Sequence, residues 1–333
     1  MSKWAFASLL LLACGGAPAR EVADATHEPR GGAEAREPLA LLGGRLSIQV
    51  PPGSMLRQRP HSIMGAPDPA ELESVVFHER GEDRFALFVR ELFVRCGDDL
   101  GATMRAVLDA SEEPLPEPYE TRRLEGPLQV VLLIPEAPER RGDAAAVLEA
   151  AICHPDGTLQ WARAMVAGRD LDGLIGEGRD RAIGALSTLR AGNVARAIGA
   201  RRVELPTYAQ GRPLALQVPD GWVAYAQEGP DFRVHYLRRL QDTPRAPTAS
   251  IGIYLGDHPS FHHGGPELVA GTLLGRPVEW RIGRSQDWRR MEAIVSSGGA
   301  TGTGFVHAFG GASADALFAE VRAVLESLAT AAE

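Results

Sequence analysis

One strand-and-turn segment occurs twice in this chain, and that duplication limits the possible folds more than any bulk property. Leu46-Ser47-Ile48-Gln49-Val50-Pro51-Pro52-Gly53 returns as Leu214-Ala215-Leu216-Gln217-Val218-Pro219-Asp220-Gly221, at a constant offset and with apolar character kept at alternate places. Self-similarity over such a distance marks a structural unit built more than once. Apolar side chains at every second position form the buried face of a strand, and Pro-Pro-Gly or Pro-Asp-Gly stops that strand and turns it.

The parallel continues downstream. In the first half, strands are expected at Val75 to His78, Phe85 to Val94, Leu128 to Ile134, Ala146 to Cys153 and Leu159 to Val166. A helix is expected on Leu100, Met104, Val107 and Leu108, and a closing helix from about Leu174 to Arg190. In the second half, strands are expected at Phe232 to Leu237, Ala249 to Leu255, Val278 to Ile282, Trp288 to Val295 and Phe305 to Phe309. A short helix is expected near Glu267 to Leu274, and a closing one from Ala314 to about Leu328. Both halves thus read β-β-β-α-β-β-β-α, an α+β class with helices packed on an antiparallel sheet. The expected domains span 41–192 and 212–333, with 193–211 as a linker and relative motion of the halves as the default.

The start Leu214 to Trp222, the mid-domain helix, the Gly275-Arg276-Pro277 turn into a strand and the closing helix resemble the PsbP/Mog1-like fold. The first half departs from that pattern, with Met55 in place of an aromatic residue and Gly126-Pro127 in place of Gly-Arg-Pro. That family has no common catalytic set, so the resemblance implies a binding or assembly role and no cofactor.

Met1-Ser2-Lys3, carrying the chain's only lysine, precedes an apolar run from Trp4 to Ala13, which is a signal-peptide pattern. The run is too short to cross a ~30 Å hydrocarbon core as a helix. Leu11-Leu12-Ala13-Cys14-Gly15 resembles the bacterial lipobox, which implies acylation of Cys14 and, with Gly15 after it, an outer-membrane destination. The alternative is an ordinary secretory signal cut near Ala17-Pro18-Ala19. Residues 15–40 show no sustained apolar periodicity and are expected to be a flexible tether.

The net charge of −8 argues against nucleic-acid binding, which needs a dense basic patch. Every basic residue of the body is arginine, which removes Schiff-base and P-loop lysine chemistry. With Cys14 assigned to the anchor, Cys96 and Cys153 form an even pair suited to a disulfide in an oxidising compartment. Two buried thiols, or a reactive Cys153 beside His154, are the other readings.

The densest candidate for chemistry is Asp257-His258-Pro259-Ser260-Phe261-His262-His263, in which His258, His262 and His263 are possible metal ligands. A metal-dependent hydrolase using Asp257, His258, His262 and His263 is accordingly the rival function. A solvated loop is the plainer reading. Ser296 to Gly304 is glycine-rich but sits between two strands, so it is expected to be a hairpin turn, because a phosphate cradle needs the helix N-terminus that follows it. Glu112, Glu113 and Glu117 fall among prolines in an extended loop, and Trp161, Trp222, Trp280 and Trp288 are expected to pack in or beside strands. The function expected from all this is a non-catalytic, membrane-anchored envelope lipoprotein. It would bind a protein or envelope component through the sheet faces or the groove between domains, with an accessory or immunity role as the more specific version of that reading.

Overall fold

Each half of the chain builds one small and one large antiparallel sheet, in the same order. The computed structural model describes residues 37–331 apart from 51–52, 64–65, 111–117, 208–210, 230, 245, 262–264 and 286, with 57–72 and 228 described by backbone alone. The first half runs β1 (Leu39–Leu41), β2 (Leu46–Ile48), β3 (Met55–Ile63), β4 (Ala66–Arg80), β5 (Asp83–Arg95) and α1 (Leu100–Ala110). It continues with β6 (Tyr119–Leu124), β7 (Gln129–Pro135), β8 (Arg140–Arg141), β9 (Ala144–Cys153), β10 (Thr158–Ala167), α2 (Leu171–Ser187) and β11 (Arg190–Ala191).

The second half runs β12 (Arg201–Leu205), β13 (Leu214–Val218), β14 (Trp222–Glu228), β15 (Phe232–Arg239), β16 (Ala249–Gly256) and β17 (Glu267–Leu273). It ends with β18 (Arg276–Ser285), β19 (Trp288–Ser296), β20 (Phe305–Ala312), α3 (Asp315–Glu326) and β21 (Ala329–Thr330).

The large sheets are ordered β3-β4-β5-β10-β9-β7-β6 and β14-β15-β16-β20-β19-β18-β17, and the small ones β1-β2-β11 and β12-β13-β21. These orders map onto one another strand for strand. The duplicated segments are β2 and β13, each the middle strand of a small sheet leading into an edge of a large one. Their turn glycines Gly53 and Gly221 share a left-handed backbone, at φ 80° and 85°, which explains why glycine closes both copies.

Each half has its own core. In the first, α2 and the small sheet cover a face carrying Leu87, Val89, Leu132, Leu148 and Ile152. In the second, α3 and the small sheet cover Leu237, Ile251, Ile253, Val306 and Trp280. Helix α1 covers the far face of the first sheet over Val131, Leu133, Ala151 and Leu159. Strands β7 and β9 are therefore buried on both faces, which is why they read as near-continuous apolar runs.

Three expectations are corrected. Glu267 to Leu274 is not a helix: its burial alternates, it pairs with β18 as an edge strand, and Leu274 and Gly275 turn the chain at φ 54° and 70°. Gly271 there faces Trp280, whose ring atoms would lie 2.6 Å from an added Cβ, so the flat strand fits against that indole. Among the described residues the second half thus lacks a counterpart to α1, and β-β-β-α-β-β-β-α describes neither half, since five strands precede α1 in the first and a short strand follows α2. The segment 193–211 is also more than a linker, since Arg201–Leu205 pairs with β13. Finally, β1 begins at Leu39, inside the span expected as tether.

Candidate binding face of the second sheet

In an antiparallel ladder, directly opposed residues share a face. Following the register, Tyr225, Tyr236, Gly252, Phe309, Glu292, Arg281 and Leu268 form one row across all seven strands of the second sheet. Their neighbours along each strand, such as Ile251, Ala308 and Trp280, point the other way into the core under α3. Among the described residues no helix lies over the row's face. A second row on it holds Val234, Tyr254, His307 and Ile294, and a third Phe232, Gly256, Phe305 and Ser296.

The face is lined with rings. Tyr225 stacks on Tyr236 at 5.3 Å and Phe232 on Tyr254 at 5.8 Å between centroids. Two strand glycines act as seats: a Cβ on Gly252 would come within 2.1 Å of the Phe309 ring, and one on Gly256 within 2.2 Å of the Tyr254 hydroxyl. The rings therefore lie down on the sheet. Phe261 stands edge-on to His307 at 6.2 Å, and the Arg281 guanidinium sits 4.3 Å above the Phe261 ring. Phe261, Leu268 and Phe305 remain 46%, 55% and 37% exposed on this one face.

At its centre a buried carboxylate, Glu292, meets His307 Nε2 at 3.1 Å. The first sheet repeats the device. Glu149 in β9 accepts hydrogen bonds from Trp161 Nε1 and, at 2.6 Å, from Arg163 Nε in β10. Arg163 stands opposite Glu149 and Trp161 two residues earlier, just as Phe309 stands opposite Glu292 and His307 two earlier. Burial pushes the Glu149 carboxyl up to about 7, opposed by the charge of Arg163 and by the hydrogen bonds it receives.

A second polar cluster lies where the halves join. Arg45 Nη2 reaches Asp156 at 3.0 Å and Arg45 Nε reaches Glu91 at 3.3 Å, while Arg196 grips Glu91 with Nε at 3.1 Å and Nη2 at 2.9 Å. The Asp156 carboxylate also accepts the Arg196 backbone N–H at 2.8 Å. Burial alone would raise the Asp156 carboxyl, but hydrogen bonds from His154, Arg196 and Thr158 and the Arg45 charge hold it well below the usual range.

The residues singled out in the sequence fall in different places. Cys96 and Cys153 are joined in a disulfide, with Cα atoms 5.8 Å apart. Asp257 Oδ1 accepts the Gly304 N–H at 2.6 Å and so braces the 297–304 hairpin turn, where Gly298, Gly299 and Gly302 take positive φ. His258 is exposed, and its backbone N–H donates to the Tyr254 hydroxyl at 3.3 Å. His262, His263, Cys14 and the carboxylates Glu112, Glu113 and Glu117 lie outside the described residues. Among the described residues no group of three His, Cys, Asp or Glu could hold a metal ion. Trp222 and Trp280 are core residues, and Trp161 and Trp288 are half-buried.

Glu149, Glu292, His307 and Arg281 were not among the sequence candidates. One signal bore on Arg281: β18 alternates apolar Val278, Trp280 and Ile282 with polar Glu279 and Arg281, where its counterpart β7 is apolar from Val130 to Pro135.

No family model and no curated protein matches the chain. Among solved structures, the crystal structure of MucB in complex with MucA(peri) is similar at 11% identity, over 87% of this chain and 93% of that one, with a TM-score of 0.21. A likeness that weak carries no argument about this protein.

Proposed function

We propose that this chain is a non-catalytic, lipid-anchored protein of the cell envelope that binds a partner protein through the helix-free face of its second sheet. The observation that carries the reading is the gathering of Phe261, Leu268 and Phe305, all substantially exposed, beside the Arg281 guanidinium on one ring-lined surface. Exposed apolar residues that cluster rather than scatter mark interaction sites, and aromatic and arginine side chains are the ones that dominate protein interfaces. The anchor at Cys14 follows from the lipobox resemblance, and the PsbP/Mog1-like likeness agrees with a binding role.

The test is a photo-crosslinking residue placed at Leu268 or at Phe305 in intact cells, with Glu204 on β12 as the control position. A discrete protein adduct from 268 and 305, absent from 204, is the expected result. Equal or no adducts from all three positions would rule out this face as the docking surface.

A further inference from the structure

The first half meets the second where β4 lies beside β14 and at the end of β5. Phe93 packs with Val223 and Leu240, and the Arg238 guanidinium lies 4.3 Å above its ring. Val94 bridges Gln241, with Arg95 N–H donating to the Gln241 carbonyl at 2.8 Å and Gln241 N–H to the Phe93 carbonyl at 2.8 Å. The Arg95 side chain adds ion pairs to Asp220 at 3.0 Å and Asp242 at 3.3 Å. The second attachment is Arg196, which joins Glu91 and Asp156 of the first half and reaches the Ala224 carbonyl of β14 at 3.4 Å.

Both attachments border one covalent bond. Cys96 directly follows Arg95, and Cys153 directly precedes the His154-to-Gly157 turn that carries Asp156. Strands β5 and β9 flank β10 on either side, so regular pairing would hold them two spacings of ~4.8 Å apart. The 5.8 Å Cα separation shows that the chain leaving β5 folds in across the β9–β10 turn to meet Cys153. The bond thus adds a covalent tie between the docking end of β5 and the turn that docks Arg196, beside the Arg95–Thr158 pairing and the Cys96 N–H to Gly157 carbonyl hydrogen bond.

We propose that Cys96–Cys153 is a redox-sensitive clamp on the junction between the halves. Oxidised, it holds both attachments in register and the halves move as one body. A dithiol reductant opens it by thiol–disulfide exchange: its thiolate attacks one sulfur, the S–S bond breaks, and the reductant leaves as a disulfide while Cys96 and Cys153 each gain a proton. The end of β5 then keeps only its Arg95–Thr158 pairing and the Cys96 N–H to Gly157 carbonyl hydrogen bond at 2.9 Å as ties to the turn, and parts from Gln241 more readily. Because the two main cores share no residue, each half stays folded when the junction opens. The junction lies on the Tyr225 and Arg238 end of the same face of the second sheet, where Phe93 packs 6.2 Å from the Tyr225 ring, while Phe261, Leu268 and Phe305 stand outside it.

Hydrogen exchange on the whole chain tests it, in the oxidised form, after dithiothreitol, and in Cys96→Ser. The amides of Arg95 and Gln241 are expected to exchange at least ten-fold faster in the reduced and variant forms, with Leu87, Val89, Ile253 and Leu255 unchanged. Arg196→Gln, still oxidised, is expected to speed the same junction amides. Junction amides that stay protected after reduction would overturn the clamp. So would equal acceleration at Leu87 and Val89, which would make the bond a brace of the first sheet only. Should Cys96→Ser not fold, the reduced wild-type chain gives the same decision.

Discussion

Glu149 and Asp156 sit within one half of the molecule and respond to pH in opposite senses. Burial raises the Glu149 carboxyl to about 7, so the native state holds that proton more tightly than the unfolded chain. Its contribution is therefore most favourable in acid and is lost as pH rises toward 7. Stability should fall by about 3 kcal/mol between pH 5 and 8 from this group, and Glu149→Gln should remove that decline; urea denaturation across the range measures it. Asp156, held low, contributes above the ordinary carboxylate range and loses that contribution in strong acid. At the junction, Arg196→Ala leaves Glu91 buried with Arg45 as its remaining ion-pair partner among the described contacts. A loss of about 3 kcal/mol in chemical denaturation is expected, and a loss below about 1 kcal/mol would show the pair to be no better than a surface contact. None of these roles was visible in the sequence, where Glu149 and Glu292 look like any other carboxylate in a strand. Their partners stand on neighbouring strands, and only register supplies them.

Strand β17 shows where local pattern misleads. Seven residues containing Leu268, Val269 and Leu273 fit a helix stripe or a strand face about equally well. Pairing with β18 and the close seat of Gly271 against Trp280 settle it as a strand. The consequence reaches the candidate site, because among the described residues no helix follows β16 to cover the ring-lined face as α1 covers its counterpart. The glycine seats are specific to that arrangement. Gly252→Ala should push the Phe309 ring off the sheet, cost about 1–3 kcal/mol and alter the near-ultraviolet circular dichroism of the face. An unchanged spectrum and melting point would mean the ring was not lying on the backbone. The disulfide, by contrast, was foreseeable, since both cysteines sit at or just past the ends of apolar strand runs. Closing a loop of 57 residues stabilises by about 4 kcal/mol in the chain-entropy model.

Across the molecule, two sheet bodies of one topology, each with its own core, meet through a small apolar cluster and two polar attachments. The proposed envelope location rests on Cys14 as an anchor, and it has a direct measurement. Cys14→Ser should shift the protein from the membrane fraction to the soluble fraction on cell fractionation, with the folded body unchanged by circular dichroism. Retention of the variant on the membrane would remove the lipid anchor from the proposal.

The duplication, the antiparallel α+β class, the closing helices and the paired cysteines could all be read along the chain. Each depends on periodicity, turn chemistry or spacing, and those properties are local. The ring-lined face, the duplicated buried carboxylates and the clamp across the junction arise from residues far apart in sequence, such as Tyr225 with Phe309 or Arg95 with Gln241. Their chemistry exists only once strand order and register place them together, and neither follows from the order of the amino acids within any one segment.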